Sequence, residues 1–286
     1  MNAPNRLFSL AATLLLATSV AAAAQTSSTA ANASSNAAAQ TKDDPDMDPN
    51  PAQPDFTLLT LPTNLRLPEH KMAFRVTHRF GRPLGDGSFG DLAADLFGLD
   101  SGAQIGLEFR YGLIKGGQIG FYRTSNRTIQ FFGQYEVLSQ NKFPVGVSVV
   151  ANVDGTNNFK DSYSPAVSAV FSREVGHRAA LYVQPAWINN TNPQPKQLVD
   201  NNDTVLVGIG GRVNVHGHTY LVAETAPRVS GFKDGKHHVS FGIEQQAGGH
   251  VFQLNFSNGV GTTLAQVARG GTKDWYMGFN ISRKFY

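Results

Sequence analysis

The sequence of 286 residues predicts an all-β chain, a closed antiparallel transmembrane β-barrel of about twelve strands. Three observations lead there. Short runs in which apolar and polar residues alternate fill the chain after Lys71, the pattern of strands with one oily face. The connections between those runs are by turns short and long, as in barrels with brief turns on one side of a membrane and loops on the other. The chain also opens on an export signal yet contains no cysteine, so without disulfides its sheet has to hold it together.

Residues 1–24 read as a signal peptide. Arg6 supplies the positive region, LFSLAATLLLATSVA the apolar stretch, and AAA before Gln25 the small residues at the cleavage positions. Residues 25–71 read as a disordered and then extended periplasmic linker. QTSSTAANASSNAAAQTKDDPDMDPNPAQPDF is poor in branched and aromatic residues, and LLTLPTNLRLPEH is limited by its prolines. The DDPDMD run lacks the spaced ligands, glycine and terminal glutamate of a calcium loop.

Residues 72–286 read as the barrel. Its alternating runs are Met72 to Phe80, Ala103 to Tyr111, Gln118 to Thr124, Thr128 to Leu138, Phe143 to Val153 and Ser162 to Arg173. Ala179 to Asn189, Thr204 to Val213, His218 to Arg228, His237 to Gln246, His250 to Ser257 and Trp275 to Phe285 follow. GLIKGG, SQNK, EVGH, VHG and AGG are the short connections; GRPLGDGSFGDLAADLFGLDSG, DGTNNFKD, NTNPQPKQLVDNND, VSGFKDGKH and NGVGTTLAQVARGGTKD are the long ones. SNR after Thr124 is the short member of the long set. An even strand number puts both ends of the barrel on the short-turn side.

Within the runs, Ile105, Leu107, Phe109 and Tyr111 oppose Gln104, Gly106, Glu108 and Arg110, and Val239, Phe241 and Ile243 oppose His238, Ser240, Gly242 and Glu244. In the last run Trp275, Met277, Phe279, Ile281 and Phe285 share one parity, with Arg283 as the exception. A soluble barrel also alternates, with the apolar set inside. Three features favour the apolar set outside. Phe80, Tyr111, Tyr163, Trp187, Tyr220, Trp275 and Phe285 gather near strand ends, where lipid-facing girdles lie. Runs of roughly nine to eleven residues match a tilted crossing of the hydrocarbon layer. The polar parity carries both signs, with Arg75, Arg79, Glu108, Arg110, Glu136, Arg212, Glu224, Arg228 and Glu244 expected to face and neutralise a lumen. Arg75 and Arg79 are expected to pair with Glu108 or Glu244, or to form an anion-selective constriction. Arg123 lies on the oily parity and has to snorkel from a strand end.

Composition narrows the chemistry. A net charge of +3 from scattered basic residues gives no footprint for nucleic acid. Mean hydropathy of -0.22 excludes a bundle of transmembrane helices. No catalytic residues are assigned: His250 and Ser257 lie on opposite parities, and no GxSxG stretch occurs. No metal is assigned, because HGH at His216 and His218 and KHH at His237 and His238 read as exposed turn histidines without nearby carboxylates. No cofactor is implied, since glycine pairs such as Gly210 and Gly211 precede strand rather than helix.

Taken together, FRVTHRFG, LFGLDSGAQIGLEFRYGL, VLVGIGGRVNV, GGHVFQLNFSNGVG and WYMGFNISRKF resemble a family of bacterial barrel proteins filed as domain of unknown function 5777. The resemblance covers nearly everything after Lys71. It implies an outer-membrane type of β-barrel and no established activity, so it carries over no functional residues. Outer-membrane barrels commonly end on an aromatic residue in phase with the apolar face; here Phe285 is in phase and Tyr286 is one step beyond. The expected partners are outer-membrane lipid, the barrel insertion machinery and a periplasmic protein. The expected location is the cell outer membrane, and the expected role a narrow, porin-like channel for small solutes or a membrane scaffold. A soluble periplasmic barrel binding an apolar ligand is the alternative, and an outer-membrane lipid hydrolase the third reading.

Overall fold

The computed structural model describes residues 52–193 and 202–285. The expected signal peptide and most of the expected linker lie outside them. The described strands are β1 (Met72–Phe80), β2 (Ala103–Ile114), β3 (Gly117–Thr124), β4 (Ile129–Leu138), β5 (Gly146–Gly155), β6 (Asp161–Val175) and β7 (Ala179–Ile188). β8 (Thr204–His216), β9 (Thr219–Ala226), β10 (Arg228–Gly231), β11 (His238–Ala247), β12 (His250–Ser257) and β13 (Tyr276–Phe285) complete the sheet. They lie where the alternation places them, to within a few residues at each end.

All pairings are antiparallel. β1 pairs with β13 and β8 pairs with β9, so the sheet closes on itself. β9 and β10 are one stave interrupted at Pro227, which has no N–H for the ladder; β8 pairs with both pieces, and the Pro227 carbonyl accepts from the Val207 N–H at 2.9 Å. The thirteen segments therefore make a closed barrel of twelve staves.

The barrel is oily outside and polar inside. On β2, Ile105, Leu107 and Phe109 are 41%, 43% and 39% exposed, while their neighbours Glu108 and Arg110 are 3% and 6% exposed. Phe121, Phe131, Val183, Ile209, Phe241 and Leu254 extend the exposed band round the wall. An apolar surface of that extent belongs in hydrocarbon, and a closed sheet can sit there because every backbone group is paired within the wall. Arg123 points outward and reaches Asn158 beyond the end of β5, where its guanidinium donates at 2.9 Å.

The structure moves one boundary. The stretch 52–67, expected to be part of an extended linker outside the barrel, lies inside it: Phe56, Leu58, Leu59, Leu61 and Leu67 are each no more than 3% exposed. The prolines end strands but do not keep the segment in water; its leucines need cover and the lumen supplies it.

On the long-loop side the β1–β2 connection carries α1 (Phe89–Ala94), started by a reciprocal cap in which the Ser88 hydroxyl accepts from the Asp91 N–H and the Asp91 carboxylate accepts from the Ser88 N–H. Arg82 ties this loop together through the Asp95 carboxylate and the Asp86 carbonyl. The hydrogen bond from Arg82 holds Asp95 below its ordinary pKa, and the bonds from Ser88 do the same for Asp91. Carboxylates with lowered folded values stabilise the loop at and above their unfolded values, and that stabilisation is lost as pH falls through the folded ones. The protection factors of the α1 amides in detergent, which remove the pH dependence of intrinsic exchange, are therefore expected to be constant at neutral pH and to fall below about pH 4, with those of the staves unaffected.

Candidate functional site in the lumen

The residues 52–67 form a hairpin that enters the barrel from the short-turn mouth and returns to it. Phe56 and Thr63 bond across it, with the Thr63 N–H donating to the Phe56 carbonyl at 2.9 Å, and the Leu58 N–H closes the tip on the Leu61 carbonyl at 2.8 Å. At the tip three successive backbone N–H groups converge on one carboxylate: Leu59, Thr60 and Leu61 each donate to Glu224 of β9 at 3.0 Å. This is an anion nest made by the hairpin and filled by the wall.

The remaining wall groups clasp the hairpin backbone. Arg212 donates to the Asp55 and Thr57 carbonyls at 3.2 and 2.8 Å, Gln253 to the Leu58 carbonyl at 2.8 Å, and Asn280 to the Leu59 carbonyl at 3.1 Å. On the returning arm Gln134 donates to the Thr63 carbonyl at 2.8 Å and Gln118 to the Leu65 carbonyl at 3.1 Å. The fit requires bare backbone on β8. A Cβ on Gly210 would stand 2.4 Å from Leu58 Cδ1 and one on Gly208 2.8 Å from Leu61 Cδ1. These glycines are the seats of the two leucines.

The long-loop half is filled from the other side. The β12–β13 connection folds inward as α2 (Leu264–Ala268), whose Leu264, Ala265, Val267 and Ala268 pack on Leu61, Ile188 and Leu206. Thr262 accepts from the Tyr122 hydroxyl at 2.7 Å, and Thr263 donates to Asp154 of β5. Between hairpin and wall remains a cavity of about 40 Å³ bordered by Thr57, Arg75, Glu108, Gln134 and Thr262. At the short-turn mouth lies a vestibule of about 280 Å³ bordered by Gln53, Asn64, Arg66, Glu136 and His177.

Among the expected lumen charges, Arg75, Arg79, Glu108, Arg110, Arg212, Glu224, Arg228 and Glu244 are buried in the interior. Glu136 sits at the vestibule, paired with Arg66 at 3.2 Å. Arg75 meets Glu108 at 2.6 Å and Arg110 shares the same carboxylate. Glu244 takes Arg212 at 2.9 Å instead of an arginine from β1. Arg79 meets neither expected glutamate; it donates to the Asn280 side-chain oxygen at 2.8 Å. Arg228 holds the loop carbonyls of Gly235 and Lys236.

Of the expected girdle, Tyr163, Trp187, Trp275 and Phe285 are exposed on the outer face, and Tyr111 is half-buried. Two residues need correction. Tyr220 is wholly buried and inward, on the same side of β9 as Glu224. Phe80 is on the outer parity but is 6% exposed, covered by His78 and Phe279 and by the loop backbone at Gly98. His238 is also misplaced as an exposed turn residue, for it is buried beside Glu224 at 3.3 Å. The sequence reading missed the cluster of Glu224, His238 and Ser240; the shared parity of His238, Ser240 and Glu244 on β11 was its signal. Ser240 donates directly to Glu224 at 3.0 Å, so serine and histidine both support a carboxylate already occupied by the hairpin. Ser240 Oγ also lies 3.3 Å from His238 Nε2, so the three groups form one buried cluster on the hairpin tip. His250 and Ser257 lie on opposite faces of β12, with Ser257 buried.

The family model described as "Membrane bound beta barrel domain (DUF5777)" matches residues 55–285. The chain belongs to that family. The match starts at Asp55, so the membrane-bound barrel domain includes the lumen hairpin. No curated protein sequence matches the chain. Among solved structures it is similar to a triply substituted porin from Rh. blastica, at 10% identity and a TM-score of 0.35 over 64% of this chain and 55% of that one. It is also similar to an outer membrane channel from Pseudomonas putida F1, at 12% identity and a TM-score of 0.46 over 78% of this chain and 98% of that one. The chain thus spans about half the length of the porin it matches.

Replacing Glu224 with alanine leaves three buried N–H groups without an acceptor, at a cost of at least about 3 kcal/mol. The expected result is protease cleavage within 52–67 on a barrel whose sheet, by circular dichroism in detergent, is unchanged. Cleavage no faster than in the parent protein would refute the clasp.

Proposed function

We propose that the protein is an outer-membrane barrel that rests closed and serves as a membrane scaffold, presenting its N-terminal lead to a periplasmic protein at the short-turn mouth. The observation that carries this is the hairpin tip locked on Glu224 and Arg212 at mid-lumen. An open porin wall has no use for such a clasp, and beside the hairpin tip the cavity bordered by Arg75 and Glu108 is only about 40 Å³, room for about one water. The interior charges are chiefly paired across the wall or turned to hairpin and loop carbonyls, which fits a packed core better than a selectivity ring. Outer-membrane placement draws support from the membrane-bound barrel domain and from the export signal in the sequence. No catalytic role is part of the proposal.

A conduit is the second reading, and one observation favours it. The wall behind the hairpin is lined by Gln118, Gln130, Gln134, Gln184, Ser148 and Ser168, which can be wetted if the hairpin withdraws.

Purified protein in planar bilayers separates the two. The scaffold predicts no current steps from the parent protein at neutral pH, with steps appearing only when Glu224 is changed to alanine. Steady conductance from the parent protein would sink the scaffold and leave the conduit.

A further inference from the structure

On the outer wall a row of side chains crosses the staves obliquely. Arg283, Phe74, Phe109, Phe121, Phe131 and Val153 are successive cross-strand partners from β13 to β5. The rings of Phe74 and Phe109 are 4.8 Å apart and those of Phe109 and Phe121 5.2 Å, the latter pair stacked. The row also climbs. Arg283 stands near the short-turn end of β13 and Val153 near the long-loop end of β5. Beside it lies an apolar groove of about 760 Å³, with Met72, Tyr111 and Ile119 on its other flank and Gly133 and Ala151 as the small residues of its outward parity. A Cβ on Gly133 would meet nothing closer than 4.0 Å, so the dent there is open space.

Arg283 breaks the alternation of the last strand by placing a cation on the lipid side. Its guanidinium lies 5.1 Å from the Phe285 ring, and no carboxylate among the described residues pairs with it. His250 is its cross-strand neighbour on β12. On the short-turn side nearest it Lys71 before β1 and Lys115 in the β2–β3 turn are exposed, with Glu69 the exposed acid beside them. An unpaired arginine at the edge of hydrocarbon calls for an anion, and its planar fork matches phosphate. From β13 to β3 is three strand spacings, about 14 Å along the wall, within reach of an acyl chain lying obliquely on it, since one chain spans about 15 Å of the core.

We propose that this wall binds one anionic phospholipid of the leaflet on the short-turn side, with its phosphate on Arg283 and an acyl chain in the groove along the phenylalanine row. The site is independent of whether the lumen conducts.

The test uses the full chain in non-ionic detergent, exposed to equal amounts of phosphatidylglycerol and phosphatidylcholine with identical acyl chains, with bound lipid counted by native mass spectrometry. One phosphatidylglycerol per barrel is expected, preferred by about tenfold, because phosphatidylcholine offers the same phosphate but brings a choline cation against Arg283, a penalty of the order of one ionic contact. Arg283→Gln is expected to bring that preference close to unity. Gly133→Phe, which fills the open dent, is expected to reduce retention of both lipids while the folded barrel keeps its heat-modifiable migration. Equal retention of the two lipids by the parent protein, detergent alone on the barrel, an unchanged preference in Arg283→Gln or unchanged retention in Gly133→Phe would each overturn the site.

Discussion

The pairing of β8 with β9 is the constraint from which the rest of the molecule follows, because it removes the last free edge of the sheet. In hydrocarbon an unpaired edge would strand a row of N–H and C=O groups at several kcal/mol each. Once the edge is gone, the outer face needs chiefly apolar side chains, and period-two alternation then sends the polar ones inward, apart from Arg123 and Arg283 near strand ends. The polarity of the interior is thus a consequence of closure. So is the way that Pro227 is tolerated: it breaks one stave into β9 and β10 at a point where its carbonyl still accepts from Val207.

The interior charges pair along the wall, but twelve staves enclose more space than wall side chains fill, and this molecule fills it with its own chain. The hairpin contributes what the wall lacks. Wall side chains such as Gln253, Asn280, Gln134 and Arg212 have donors to satisfy, and the hairpin offers backbone carbonyls; Glu224 needs donors, and the tip offers three N–H groups. Leu58 and Leu61 in turn find places where β8 carries glycine in place of side chains. Hairpin and wall are complementary in both polarity and volume, which is why this stretch packs in the lumen instead of remaining in water.

The staves and their orientation were legible in the sequence because lipid demands apolar side chains at outward positions away from strand ends. Where that rule stops, legibility stops. Tyr220 was placed outside on the strength of being aromatic near a strand end, although it shares the parity of Glu224; on β9 both parities are apolar, and the glutamate alone marks the inner side. Phe80 has the outward parity, and what buries it is a loop whose fold no periodicity announces. The hairpin was hidden by its prolines and by its position before the first alternating run. Its five leucines between Leu58 and Leu67, following a polar lead, were the available sign that the segment needs cover. Arg79 and Glu244 were matched to each other's strands by charge alone, whereas their partners are set by stagger round the barrel, which sequence does not specify.

The composition of the wall behind the hairpin separates a plug from a core. Burying leucines alone would favour an apolar lining, since each glutamine or serine placed there has to find a partner at net gain of only about 1 kcal/mol. Yet Gln118, Gln134, Gln253 and Asn280 hold the hairpin by its backbone, while Val150, Val170, Val222, Ile188 and Leu206 pack with its side chains. Water can replace backbone carbonyls as acceptors for those amides at little cost, but it cannot replace an apolar neighbour. The amide contacts of the wall can thus be exchanged with water, whereas the apolar seats of Leu58, Leu59 and Leu61 cannot; the pairings that close the sheet, β8 with β9 and β1 with β13, are made without the hairpin.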